Sequence, residues 1–168
     1  MKTMWLLGPA RLSVLSALVI ACGGGRSHDA TPTTASTAAS TPGSACFALA
    51  SATHPAQPNA PEKVSVKHVL VKWSGAKNPV PTATRTREEA CLRALAARDA
   101  LRSGTDFDAV VTTYSDEPGA ASRNGSLGSV ERKALVPAFA DVAFELAPGE
   151  FSDIVETDFG FHVIMRTQ

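Results

Sequence analysis

Two short apolar runs, far apart in the chain, predict β-strands. Lys63–Trp73 reads KVSVKHVLVKW, and Phe159–Gln168 reads FGFHVIMRTQ. The first run is dense in β-branched residues, which is typical of a buried strand. Each run carries a histidine near its middle, His68 in the first and His162 in the second. Since side chains alternate between the two faces of a strand, one face of the first strand is predicted to present Val66, His68, Leu70 and Lys72.

A histidine inside an apolar strand is most often a structural residue whose ring is hydrogen-bonded to a neighbour. Here two such strands occur, one opening and one closing the same predicted folded region. If the strands are neighbours in one sheet, their imidazole rings meet. We therefore predict that His68 and His162 lie in a common site.

The chain between these strands alternates between helical and turn patterns. Thr86 followed by Glu89 is a capping box, which predicts a helix start, and Gly104 ends that helix. The predicted elements are a helix over Arg87–Ser103, a short helix after Thr105, a short strand over Leu127–Val130, a helix over Pro137–Leu146, and a hairpin of strands over Phe151–Glu156 and Phe161–Arg166. This order predicts one α+β domain over residues 63–168, in which helices surround a small four-stranded antiparallel sheet.

The first 21 residues have the pattern of an export signal. Lys2 and Arg11 accompany the apolar run Leu12–Ala21, which is too short to span a bilayer as a helix. The run ends in LVIAC and is followed by three glycines, which resembles the lipobox of bacterial lipoproteins. We therefore predict a lipoprotein signal peptide over 1–21, lipid attachment at Cys22 and a location on a membrane of the bacterial cell envelope. An ordinary secretory signal is the alternative.

Residues 22–62 are mostly Ala, Ser, Thr, Pro and Gly, and such a composition predicts a disordered tether. Cys46 lies in this segment and Cys91 in the folded part, and spacing alone leaves open whether they form a disulfide. Three cysteines without paired spacing argue against a metal site. The formal net charge is zero, so no overall attraction to nucleic acid or to an anionic membrane surface is predicted.

Five segments together resemble the parvulin family of peptidyl-prolyl cis/trans isomerases. They are HVLVK (68–72), TRTREEA (84–90), DFDAVVTTYSDEPGAASRNGSLG (106–128), PAFADVAFELAPGE (137–150) and TDFGFHVI (157–164). The resemblance implies that His68 and His162 are the family's paired histidines. It further implies that Glu117 and Thr157 belong to the same network. The family's apolar bowl for the proline ring falls on Leu127, Leu135 and Phe139.

The chemistry of proline isomerisation explains why an apolar bowl and a fixed polar network suit this function. Rotation about an X–Pro bond is slow because it breaks amide resonance, at a barrier of about 18–20 kcal/mol. An apolar bowl that grips the proline ring while the preceding carbonyl rotates favours the twisted transition state over the planar amide. No nucleophile, metal or cofactor is expected, and the histidine pair would hold Glu117 and the bowl in place. From the residue pattern alone, Glu117 also fits an exposed turn carboxylate, and the bowl residues also fit ordinary core.

Three cations follow the first histidine, and the resemblance makes them candidates for binding an anionic group that precedes the proline. They are Lys72, Lys77 and Arg85. Asn78 interrupts this basic run, and cations in a Pro-rich loop are usually just solvated.

The expected function is a membrane-anchored peptidyl-prolyl isomerase that acts on proline-containing exported proteins and not on nucleic acid. The alternative is a non-catalytic chaperone module that grips proline-containing segments without rotating them. The segment Ser126–Val130 departs from the family pattern and leaves room for this alternative.

Overall fold

The structure is a computed structural model, and it describes residues 41–168. The predicted signal peptide, the predicted lipid attachment site Cys22 and the first part of the predicted tether lie outside the described residues. Across the described part, none of the helices has both the length and the apolar character needed to cross a bilayer.

Four strands form one antiparallel sheet, as the sequence predicted. The strands are β1 (Lys63–Val71), β2 (Ser126–Glu131), β3 (Val155–Thr157) and β4 (Gly160–Arg166), and their order across the sheet is β2-β1-β4-β3. β1 and β4 are the two central strands, in keeping with their apolar, β-branched sequences. The first and last strands of the domain are therefore direct neighbours.

Four α-helices surround the sheet, and their bounds follow local capping signals. They are α1 (Pro42–Ala50), α2 (Arg87–Arg102), α3 (Phe107–Tyr114) and α4 (Pro137–Glu145). The capping box that predicted α2 is present: the Glu89 amide donates to Thr86 Oγ1, and the Thr86 amide donates to the Glu89 carboxylate. The Asp106 side chain caps α3, and Pro137 stands in the first turn of α4.

The two faces of the sheet carry two apolar cores. Val69, Val71, Phe161 and Val163 pack with α1, α2 and α3. On the opposite face Val64, Val66 and Ile164 pack with the buried side of α4, which includes Phe139 and Val142. His68 and His162 extend this second face beyond its apolar part, as strand alternation predicted.

The third strand is shorter than predicted. The prediction of a strand over Phe151–Glu156 is wrong for residues 152–154, since the strand covers Val155–Thr157 and Phe151 makes an isolated bridge to Met165. Ser152 explains the break, because its hydroxyl accepts from the Ile164 amide in place of a backbone carbonyl. Asp153 next to it pairs with the buried Arg98.

The prediction of a disordered tether over 22–62 is wrong for the residues that form α1. A disulfide joins Cys46 of α1 to Cys91 of α2. Phe47 packs against the Phe161 ring, and the guanidinium of Arg87 lies 4.2 Å from the Phe47 ring centroid. Composition underestimated this helix because a covalent bond and one aromatic contact supply the stabilisation that buried apolar area usually provides.

Candidate active site

The pairing of β1 with β4 brings the two histidines together. His68 lies opposite Ile164, and Leu70 lies opposite His162, so the histidines are diagonal neighbours on one face. Both residues are 4% exposed. Their rings are stacked with centroids 5.4 Å apart, and the two Nδ1 atoms are 3.2 Å apart. The prediction of one shared histidine site agrees with this geometry.

A line of hydrogen bonds runs through both rings. Thr157 Oγ1 lies 2.8 Å from His162 Nε2, and His68 Nε2 lies 2.9 Å from Glu117 Oε2. A carboxylate can only accept, so His68 Nε2 carries a proton. When His68 is neutral, every other bond follows: His162 Nδ1–H donates to His68 Nδ1, and the Thr157 hydroxyl donates to His162 Nε2. One set of tautomers therefore satisfies the whole network.

Burial and nearby charges set the protonation of His162 and Glu117 in this network. Desolvation lowers the pKa of His162 well below its usual range, and the nearby His68 and Lys72 lower it further. His162 is therefore a neutral ring at pH 7. The hydrogen bond from His68 lowers the pKa of Glu117, assisted by Arg123, although partial burial opposes the shift. Glu117 is therefore an anion, and its carboxylate is hydrogen-bonded to His68 and paired with Arg123.

The loop that carries Glu117 is fixed to the end of β1. The Asp116 amide donates to the Leu70 carbonyl, and its carboxylate accepts from the Lys72 amide and from Arg85 Nη1. Further along, the His68 amide donates to the Gly125 carbonyl. Gly125 has φ +69°, and a β-carbon there would lie 2.4 Å from the His68 carbonyl oxygen. Only glycine allows this approach, so the loop is seated directly on the strand that carries His68.

A cleft of about 580 Å³ opens above the network. Phe139 is buried on its floor, edge-on to both imidazole rings, with centroid distances of 5.6 Å to His68 and 5.2 Å to His162. Seven predicted site residues line this cleft together: His68, Lys72, Glu117, Leu127, Leu135, Phe139 and His162. Thr157 supports His162 from behind and does not line the cleft, so its place is that of a positioning residue.

The three candidate cations are not equivalent. Lys72 is buried, its ammonium lies within 3.5 Å of the carbonyl oxygens of Lys77, Asn78 and Phe159, and burial lowers its pKa. Arg85 pairs with Asp116 and donates to the Lys72 carbonyl. Both cations are therefore held by internal partners, in contrast to the predicted basic cluster. Lys77 is exposed, and its ammonium lies 5.3 Å from the ring centroid of Phe159, a residue that lines the cleft.

Sequence reasoning missed two charged residues that shape the site. Asp116 organises the loop, as described above, and Arg123 pairs with Glu117 at 2.5 Å. Asp116 is adjacent to the predicted Glu117 in the sequence, but the pattern around it indicates only a turn. For Arg123 the sequence carries no signal, because its partner is set by the path of the loop.

The site combines an apolar floor with a polar wall whose hydrogen bonds are internally satisfied. This arrangement suits an apolar ring that must be held tightly while a neighbouring group moves. Within residues 41–168, no cluster of three or more His, Cys, Asp or Glu side chains is placed to hold a metal ion.

Comparison with known proteins identifies this arrangement. A model of the PPIC-type PPIase (rotamase) domain matches residues 68–168. The chain is 37% identical over 113 residues to the putative peptidyl-prolyl cis-trans isomerase dodo of Drosophila melanogaster, covering 64% of this chain and 68% of that protein. The solution structure of TbPIN1 is similar with a TM-score of 0.58 and 34% identity, covering 64% of this chain and 98% of that one.

A bacterial relative is also similar. Chaperone SurA of Pseudomonas fluorescens is 31% identical over 103 residues, which is 61% of this chain but only 22% of that protein. The chain therefore corresponds to about a fifth of that chaperone. The family model begins at His68, so α1 and the segment that follows it precede the matched region.

Proposed function

The chain belongs to the PPIC-type peptidyl-prolyl isomerase family and is a parvulin-type isomerase, and we propose that it works at a bacterial cell envelope, where it assists the folding of exported proteins. The family membership rests on the matched region from His68 to the end of the chain and on the relatives described above. The envelope location, the lipid anchor and the exported clients are the proposed part.

The cleft accounts for catalysis through its shape and through the exclusion of water from its apolar surface. A proline ring seated on Phe139, between Leu127 and Leu135, is held while the preceding carbonyl swings past the His68 and Glu117 wall. The twisted amide has lost its conjugation, so it fits an apolar, desolvated cleft better than the planar amide does. His68 and His162 keep this wall rigid because a buried network with satisfied hydrogen bonds resists rearrangement.

The observation that carries the catalytic proposal is the contact of Phe139 with both imidazole rings. It is tested by two-dimensional exchange NMR on a short Xaa-Pro peptide with catalytic amounts of protein. We expect cis and trans resonances to exchange faster than in the free peptide. The competing function is a chaperone that binds without rotating, and it is favoured if the peptide binds with no gain in exchange rate.

Export is supported by the disulfide between Cys46 and Cys91. Disulfides form and persist in oxidising compartments and are rare in the cytosol. The lipobox-like LVIAC sequence that ends at Cys22 adds the anchor. A multiply acylated cysteine holds a protein on a membrane because each buried CH₂ group contributes about 0.8 kcal/mol.

Assistance in folding is supported by the similarity to the region of Chaperone SurA described above. The proposed clients are polypeptides that cross the membrane unfolded and expose X–Pro bonds. Since those bonds isomerise in tens to hundreds of seconds, they limit folding in the absence of a catalyst.

The anchor is tested with Cys22→Ser in the full chain, expressed in a bacterium that processes lipoproteins. We expect the wild type in the membrane fraction and the variant either released or unprocessed. Cys46→Ser serves as the control for loss of a cysteine elsewhere, and it should remain in the membrane fraction. A Cys22→Ser protein that fractionates and migrates like the wild type would remove the lipoprotein proposal and leave the isomerase untouched.

A further inference from the structure

A second groove, of about 680 Å³, lies beside the proline cleft. One wall is the end of α1 and the segment 51–54, and the other wall is the first turn of α4. Its floor includes Trp73, Ile154 and Val155. We call it the flanking groove. Most of its floor is apolar, and its walls are made of small residues, so an extended chain fits between them.

The wall formed by 50–54 is an addition to the family domain. It precedes His68, where the family match begins, and the disulfide between Cys46 and Cys91 holds it against α2. His54 Nδ1 lies 2.6 Å from Glu145 Oε2 and ties the same segment to α4. The chain therefore uses a covalent bond and a cross-groove contact to keep a wall that the matched domain does not provide.

The flanking groove adjoins the proline cleft, and the two share one lining residue. Val136 lines both, and it is 36% exposed, one of the two exposed large apolar side chains of residues 41–168. The partition between them is the turn after β3: Asp158 lines the flanking groove and the adjacent Phe159 lines the cleft. A polypeptide whose proline sits in the cleft therefore reaches the groove by passing over Val136.

The two cavities differ in charge. Three carboxylates line the flanking groove, those of Asp141, Glu156 and Asp158, and no lysine or arginine of the described residues does. Asp141 pairs with Arg132 and Glu156 with Arg87, whereas Asp158 has no ion pair within residues 41–168. The proline cleft is instead lined by Lys72 and Glu117, and the Lys77 ammonium lies beside its lining residue Phe159. The groove is thus complementary to a basic side chain.

We propose that the flanking groove binds the extended segment of the client polypeptide next to its proline, and that Asp158 favours a lysine or arginine there. This inference rests on the proposed isomerase function, because the proline in the cleft sets which segment enters the groove. It extends that function from a single X–Pro bond to a recognised stretch of chain with a basic residue on one side.

The test compares peptides of two lengths on the same protein. A blocked Ala-Ala-Pro-Phe peptide is too short to fill both cavities. Longer peptides carry six additional residues before or after this core, with either two lysines or two glutamates among them. For the wild type we expect one lysine-bearing peptide to have a kcat/KM about fivefold above the short peptide at low salt, and its glutamate counterpart to lack this gain.

Two variants locate the effect. Ala52→Trp fills the flanking groove, and Asp158→Asn removes its unpaired charge while keeping the shape; both should reduce the ratio of long to short peptide to about one. Ala48→Trp is the matched control, since Ala48 is exposed on α1 and does not line the groove. It should keep the wild-type ratio.

Binding is followed independently by the indole N–H resonance of Trp73, which lies in the groove floor. The resonance should shift with the long lysine peptide and not with the short one. Turnover of the short peptide with no gain for any long peptide, or with the same gain in Ala52→Trp, would overturn the inference and leave the isomerase standing. Absence of turnover even for the short peptide would instead remove the function on which the inference rests.

Discussion

His68 Nδ1 and His162 Nδ1 lie 3.2 Å apart, although 94 positions separate the two residues in the chain. Each ring uses its other nitrogen as well, His68 towards Glu117 and His162 towards Thr157. Phe139 covers both rings edge-on. The pair therefore connects the loop that carries Glu117 to the hairpin that carries Thr157, and both must be in place for the cleft to keep its shape.

The buried neutral state of His162 predicts an acid limit to stability. Its pKa is lowered in the folded protein, chiefly by desolvation, while in the unfolded chain it returns to about 6.5. Below that pH the unfolded state binds a proton that the folded state does not bind. The free energy of unfolding therefore falls as the pH falls. One such group contributes a slope of at most about 1.4 kcal/mol per pH unit.

This slope is measured from urea unfolding between pH 8 and pH 5, for the wild type and for His162→Gln. The variant should be less stable at pH 8, because it disturbs a buried network, but its stability should fall less steeply below pH 6.5. Superimposable slopes for the two proteins would show that His162 does not remain neutral in the folded state.

Phe139→Ala should reduce catalysis beyond its effect on folding. The substitution removes the ring on which proline packs, and we expect kcat/KM to fall about tenfold or more, equivalent to roughly 1.4 kcal/mol of transition-state stabilisation. Because Phe139 is also buried in a core, about 3–5 kcal/mol of stability is lost as well.

Phe144→Ala separates the two effects. Phe144 is equally buried on α4, packs in the same core and does not line the cleft. Its loss should cost similar stability and leave kcat/KM per folded molecule near the wild-type value, with the folded fraction taken from circular dichroism. Equal activity losses in the two variants would mean that Phe139 acts only through the core.

Arg123 is predicted to position Glu117. Its guanidinium lies 2.5 Å from Glu117 Oε2, on the oxygen that also accepts from His68. Arg123→Ala should lower kcat/KM by up to about fivefold, since partly exposed ion pairs are worth up to about 1 kcal/mol. Arg123→Lys should restore part of the loss, because it returns the charge without the planar fork.

Arg102→Ala is the control for this experiment. Arg102 is an exposed arginine that pairs with Asp153, away from the cleft. It should leave kcat/KM unchanged. A merely structural role for Arg123 would change the melting temperature with no lysine rescue of kcat/KM, and that pattern would count against the prediction.

Lys77 is predicted to give a mild preference for an acidic residue before proline. It is the exposed member of the three candidate cations, while Lys72 and Arg85 have internal partners. A single exposed charge supports a preference of about two- to threefold at low salt, screened as the salt rises. Peptides with phosphoserine, Glu, Ala or Lys before proline provide the measurement.

In Lys77→Ala the differences in kcat/KM among the four peptides should become smaller. Lys133→Ala is a suitable control, because Lys133 is exposed near the end of β2 and does not line the cleft. If Lys-Pro peptides turn over as fast as the acidic ones at low salt in the wild type, Lys77 does not read the residue before proline.

Local patterns in the sequence were enough for the strands other than β3, for most helices and for the histidine pair. A capping box such as Thr86–Glu89 acts within one helical turn, so its signal is complete in four residues. The histidines were found because a polar residue in mid-strand is costly unless it has partners, and because two such strands framed one domain. Motif order then assigned Glu117, Thr157 and the three bowl residues.

Tertiary structure decided which charged side chains have partners within the protein and which are exposed to solvent. The sequence does not distinguish the three candidate cations Lys72, Lys77 and Arg85. In the fold, Asp116 pairs with Arg85, and Lys72 is buried. Likewise, nothing near Cys46 indicates that Cys91, 45 residues later, holds α1 in place and so builds a wall of the flanking groove. Periodicity and capping are encoded over a few residues, whereas the partner of an exposed charge or of a cysteine depends on how distant segments pack.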